Sequence, residues 1–391
     1  MLKDSKYKIS LFTLTFMSSI VICLGQTAFK NFGNIQMHNN AEIGFHTNFI
    51  NDGVFDTNNL GYTGFYSDNE VRTVSGTNKA VFYNVEIDAI NNLQLNTSLG
   101  VTNELEFVNG KVITPRNNTN ISLDFINYNV YIGEDDNNHT DGYASITGED
   151  EFVFPIGDDD RFRPMITPFQ SQNTFFKGAY FFEDPNTPTI FSTNFTTSEK
   201  QLFIENISNY EFWDLDGNTE TVVTLTWDTQ SNIPAITQNT NLLRVVGWSE
   251  TQNEWVDLGR TDIEGNLNEG RITSNTFIPD DYIVITIGSE FNNGDVSNDN
   301  FIISPNSDNL NDALVFEGLE LFKENKLLIF NRWGEIVFEI NNYKNDWEGV
   351  STAKTTILSK NKLPVGTYFY ILKFGDINLT KEKRGWIYIN R

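Results

Sequence analysis

VEIDAINNLQLNTSLGVTNELEFVNGKVI, residues 85–113, decides how the first third of this chain folds. Small apolar pairs recur in it at short intervals: Val85 and Ile87, Leu93 and Leu95, Leu99 and Val101, Leu105 and Phe107, then Val112. Asn, Thr and Gly stand between them. Alternation within each pair puts both members on one face of a strand, and the polar spacers give corners. Strands this short gain most by stacking as the sides of a coil of roughly twenty residues per turn. The reading is a β-solenoid over residues 26–150, with a meandering β-sandwich as the alternative.

Outward from that stretch, composition supports an all-β chain. Of the 391 residues 39% are hydrophobic and 14% aromatic, which is globular, and no long amphipathic helical pattern appears. Residues 151–288 change character. TVVTLTWD (221–228) sets Val223, Leu225 and Trp227 on one face; LLRVVGW ends at Trp248, followed by a polar turn and Trp255; DYIVITIG (281–288) adds another apolar strand. Paired strands and turn signals at this spacing predict an antiparallel β-sandwich. SEFNNGDVSNDN then reads as polar linker, placed at 289–297, and a further module occupies 298–391.

At the other end, residues 1–25 read as a secretory signal peptide. Lys3, Lys6 and Lys8 form a basic head, Ile9 to Leu24 is mostly apolar, and Cys23-Leu24-Gly25 offers small residues before a cut at Gln26. As a membrane anchor the run is short and broken by Ser and Thr. A lipid anchor on Cys23 calls for a small residue before it, where Ile22 stands. Because Cys23 is the sole cysteine, the processed chain has no thiol chemistry.

The formal charge of −25 is unevenly spread. The first 25 residues carry +2 and residues 300–391 carry +1, leaving about −28 on the middle. An acidic surface of this size excludes nucleic acid as a partner and suits a secreted body. Its acidic loops, GEDDNNHTDG (133–142) and GDDD (157–160), are either solvated turns or oxygen donors for calcium. His38, His46 and His139 have no second ligand at zinc spacing and read as solvated loop residues. Serine-hydrolase, zinc-protease and Walker motifs are absent from the sequence, so the body is expected to be non-enzymatic.

The last module carries the specific signal. SPNSDNLNDALVFEGL (304–319), LLIFNRWGEIVFE (327–339), YKNDWEG (343–349), LPVGTYFYIL (363–372) and RGWIYINR at the end occur in that order. This resembles the gliding motility-associated C-terminal domain, the type B sorting domain of the type IX secretion system. Ser307 and Asn309 stand where the family carries glycine, and STAKTTILSKNK (351–362) is longer than the family's usual spacer.

The resemblance implies an Ig-like β-sandwich and a route: periplasmic transit, then passage across the outer membrane to the cell surface or medium. Its implied partners are the type IX machinery and a PorP/SprF-like outer-membrane β-barrel, and the chain is not expected to be an integral membrane protein. Candidate recognition residues are Arg332, Trp333 and Gly334 at a hairpin tip, Trp347 in a second turn, and Gly366 before an aromatic strand. Asp308, Asn311 and Asp312 can present oxygens to calcium; no other cofactor is expected. The body is cargo, read as adhesin-like or structural. The alternative is a carbohydrate-binding or carbohydrate-active protein in which exposed Trp213, Trp248 and Trp255 stack on sugars.

Overall fold

The computed structural model describes residues 27–290 and 300–391, apart from 202–203, 307, 309, 317, 320–321, 323, 353–361 and 377–378. The expected signal peptide, residues 291–297 of the expected linker, and Ser307 and Asn309 lie outside the described residues. The chain packs into two compact units. The first runs to Phe182 and takes in Trp213–Thr221 and Ile278–Asp280; the second comprises Glu183–Phe212, Val222–Phe277 and Asp281–Arg391.

The first unit opens as the β-solenoid. Two parallel sheets grow side by side as the chain winds: Ala28–Asn31, Asn48–Asn51, Arg72–Ser75, Leu93–Leu95, Val112–Ile113 and Thr140–Asp141 stack in one, and Glu42–Phe45, Tyr62–Ser67, Ala80–Ala89, Leu99–Asn109, Leu123–Ile126 and Ala144–Gly148 in the other. Glu42 lies beside Tyr62, Leu93 beside Val112 and Leu123 beside Ala144, so each coil takes close to the expected length. All nine apolar residues that announced the coil, from Val85 to Val112, are buried.

Parallel stacking places like residues over like. Phe45, Phe65 and Phe82 form an internal aromatic column with Phe49, ring centroids 4.8–6.5 Å apart. At one corner Asn31 Nδ2 donates to Asn51 Oδ1 at 2.7 Å, and Asn51 Nδ2 donates to the Asn78 carbonyl at 3.0 Å, giving a buried amide ladder. The corner at Gly110 requires glycine. Its φ is +86°, and a Cβ there would sit 1.9 Å from the Ala89 carbonyl oxygen of the preceding coil.

Parallel register continues past 150, with Thr140–Asp141 beside Ile156–Asp158. The stacking ends where Thr174–Phe181 pairs antiparallel with Ala144–Gly148. In the second unit, Ile204–Ile207, Ile285–Glu290, Leu243–Ser249 and Glu254–Gly259 form antiparallel neighbours. Thr224–Trp227, Gly270–Thr273 and Asp262–Gly265 form a further antiparallel group, with Val223, Leu225 and Trp227 inward as their alternation requires. The strand Ile285–Glu290 carries two residues into the segment read as linker.

Residues 300–389 form an Ig-like β module. Its sheet runs in the order Asn300–Ile303, Leu379–Ile389, Gly366–Asp376, Glu324–Phe330, Ile336–Asn341; the first pair is parallel and the rest are antiparallel. The inner face packs Leu327, Ile329, Tyr370, Leu372 and Ile387 against a second layer holding Leu314, Phe316, Leu319, Tyr343, Trp347 and Leu363. Bridges Leu314 to Trp347 and Val350 to Lys362 tie that layer together. No helix among the described residues is long and apolar enough to cross a membrane.

Candidate functional site

The strands Glu324–Phe330 and Ile336–Asn341 meet at a tip built by Asn331. Its Oδ1 accepts from the backbone N–H groups of Trp333 and Glu335, both at 3.0 Å, and its Nδ2 donates to Glu335 Oε2 at 2.9 Å. Gly334 takes φ +83°, open to glycine without strain, and its N–H donates to the Asn331 carbonyl at 3.0 Å. The turn is thereby fixed from its own backbone. Arg332 and Trp333 are left to project: Trp333 is 72% exposed and the Arg332 guanidinium lies 4.4 Å from its ring centroid. A planar cation on an indole face makes one rigid, amphipathic knob.

The other residues expected in recognition sit elsewhere. Trp347 is buried against Phe338, 5.7 Å between ring centroids, and its indole N–H donates to the Val350 carbonyl at 2.8 Å. The Tyr343 hydroxyl accepts from the Trp347 backbone N–H and donates to the Leu314 carbonyl; burial pushes that phenol above its ordinary range. Trp347 therefore supports the module from inside. Gly366 begins its strand at φ +152°. Asp308 and Asp312 are engaged in shaping their own loop: Asp308 accepts from Leu310 N–H and Asn306 Nδ2, Asp312 accepts from Asn306 N–H, and Asn311 takes φ +53°.

Sequence reasoning missed the outer face of the same sheet. Trp386, Phe369, Phe330 and Ile336 fall in one cross-strand row, flanked by Tyr388 and Ile302 in the next. Ile302 is 62% exposed, Phe369 48%, and Trp386 and Tyr388 each 38%. With Thr367 they line a shallow groove of about 320 Å³. The signal lay in GTYFYIL and GWIYI, where both parities of a strand are apolar or aromatic. Such strands are covered on both faces or wait for a partner.

The body corrects several expectations. Trp213, Trp248 and Trp255 are core residues at 0%, 2% and 0% exposure, so they cannot stack on sugars. Trp248 and Trp255 face each other across a hairpin with Phe195 against both, and Trp213 packs on Tyr180. His139 is not solvated: it is fully buried, Nδ1 meets the Asp135 carbonyl at 3.0 Å, and burial holds its imidazole below the ordinary histidine range. His46 stacks on Tyr66. In the acidic loops, Asp141 and Asp158 clasp Arg116 at 2.7 and 3.2 Å. Among the described residues no group of three or more His, Cys, Asp or Glu side chains is arranged to hold a metal.

Comparison with curated proteins and with solved structures gives no match. Residues 295–389, which span this tip, sheet and aromatic face, match the family model described as the CHU_C Type IX secretion signal domain.

Proposed function

We propose that the C-terminal module is the export address of an adhesin-like, non-enzymatic body, read by an outer-membrane β-barrel of the PorP/SprF kind through the Arg332–Trp333 tip and the neighbouring aromatic face. The type IX signal domain makes the protein a secreted or cell-surface one that interacts with the type IX machinery. The single observation supporting the finer reading is the aromatic row Trp386, Phe369, Phe330, Ile336. A module of this size does not expose such a row without cost, and its core is already complete on the opposite face. An N-terminal signal peptide would deliver the chain to the periplasm, and the acidic, coil-built body would remain at the outer surface.

The test is a fusion of residues 295–391 to a periplasmic reporter in a host with type IX secretion. The intact module should bring the reporter to the surface. The doubly substituted module, Phe369→Ser with Trp386→Ser, should fold and leave the reporter in the periplasm. Surface delivery by the doubly substituted module at the unaltered level would remove the aromatic face from the recognition site.

A further inference from the structure

The first unit carries a cleft of about 450 Å³ on the outer side of its second solenoid sheet, lined by Lys79, Asn96–Ser98, Thr119–Ser122, Asp124, Phe175 and Lys177. Its position follows from the coil. Ala80, Leu99, Leu123 and Ala144 lie side by side on four parallel strands, so the residues just before them form one stacked corner, and the antiparallel strand Thr174–Phe181 sets Lys177 beside Ser145 and Phe175 beside Thr147 in the same sheet. The corner between Val112–Ile113 and Leu123–Ile126 is longer than that between Leu93–Leu95 and Leu99–Asn109, and its last residues, Thr119 to Ser122, line one side of the cleft. Gly100, beside Asp124 in the sheet, contributes no side chain to the floor.

The floor is fixed and electrically neutral. Asp124 accepts hydroxyl hydrogen bonds from Ser122 and from Ser145, the latter at 2.8 Å, and its other oxygen takes the Lys79 ammonium at 2.8 Å. Lys177 is neutralised by Asp216 at 3.0 Å. Both cations are thus already paired, so the cleft offers no surplus positive charge to a phosphate or sulfate. Around that floor stand polar side chains without hydrogen bonds of their own: the amides of Asn96 and Asn120 and the hydroxyls of Thr97 and Thr119. Phe175 forms the remaining wall, 48% exposed on a strand whose neighbours Thr174 and Phe176 are buried.

We infer that this cleft binds a neutral oligosaccharide. Two amides and two hydroxyls, each able to donate and accept, suit the vicinal hydroxyls of a sugar ring, and the half-exposed Phe175 ring suits its C–H face. The volume falls in the range of small-ligand sites, where a few converging polar groups orient the ligand. The acidic surface of the body opposes anionic glycans. The assignment deepens the adhesive reading of the body, which it rests on, and is independent of the export reading.

The experiment is an array of neutral and anionic oligosaccharides probed with the full secreted chain, followed by calorimetry on the best neutral hit. Binding to at least one neutral glycan is expected, with affinity reduced about 10-fold or more by Phe175→Ala and by Asn96→Ala with Asn120→Ala. These side chains are exposed and hold no structural bond, so unchanged circular dichroism is expected of both variants. Glu250→Ala, on an exposed turn of the second unit, should bind as the unaltered chain does. No neutral hit, binding confined to sulfated or sialylated glycans, or affinity unmoved by both cleft variants would overturn the assignment. Adhesion of cells to a surface from which glycans have been stripped tests the adhesive reading separately.

Discussion

Arg332→Ala is the substitution that separates recognition from support. In the structure the guanidinium touches the Trp333 ring, and the hydrogen bonds of the turn come from Asn331 and Gly334. The loss is one exposed cation–π contact, about 0.5–1 kcal/mol. For a module of this size 1 kcal/mol corresponds to roughly 4–8 °C in melting temperature. Trp347→Ala is the contrasting case. It removes a buried indole, its contact with Phe338 and its bond to the Val350 carbonyl, for roughly 3–5 kcal/mol, which is enough to unfold a marginal module. The assay pairs near-ultraviolet circular dichroism melts of the secreted chain with protease accessibility of the protein on intact cells. Arg332→Ala should shift the melt by roughly 2–8 °C and reduce surface exposure several-fold; Trp347→Ala should lose both. A melt lowered by Arg332→Ala as far as by Trp347→Ala, or wild-type exposure of the Arg332→Ala protein, would refute the reasoning.

Two predictions concern the first unit. Asn51→Ala should cost about 1–3 kcal/mol in urea unfolding, because it strands one donor of the buried Asn31 amide and removes the bond to the Asn78 carbonyl; a change below about 0.5 kcal/mol would show the amide ladder to be dispensable. Burial, with Asp216 nearby, pushes Asp214 up to about 7, against the pull of the Tyr143 hydrogen bond and Lys177. The folded state therefore holds the proton between about pH 4 and 7 while the unfolded state has lost it, so this residue's contribution to stability falls as pH rises through that window. Asp214→Asn keeps an acceptor for Tyr143 and removes the titration. Its melting temperature should match the unaltered chain near pH 4 and exceed it increasingly toward pH 8. His139 acts with the opposite sign, since its depressed imidazole costs stability as pH falls below about 6.5, so the difference between the two proteins is the quantity to plot. A difference independent of pH would contradict the assignment to Asp214.

Much of the fold was legible because its periodicity is local. The pairs from Val85 to Val112 specify short strands and corners without reference to the rest of the chain, and the coil follows from stacking them. The Arg332 tip was legible for the same reason, since a glycine between two alternating runs fixes a hairpin. What escaped depends on the approach of layers that are distant in sequence. Trp248 and Trp255 alternate correctly on their strands, yet their burial comes from Phe195, packed against both from elsewhere in the chain. His139 sits in a stretch of Asp and Asn that reads as solvated, but the coil draws it inward while the carboxylates around it make turns and ion pairs. The outer face of the C-terminal sheet was hidden differently. Tyr368, Tyr370 and Leu372 satisfy the core by alternation, and only the register shows that Phe369, Trp386 and Phe330 form one row on the other side.

The central claim is that the C-terminal module, and not the body, carries the export address. Removing residues 295–391 from the otherwise intact chain and locating the product by protease accessibility in whole and permeabilised cells tests this most directly. The account predicts a folded body retained in the periplasm, protected in whole cells and cleaved once the outer membrane is opened. Surface exposure of the truncated chain equal to that of the full one would contradict it.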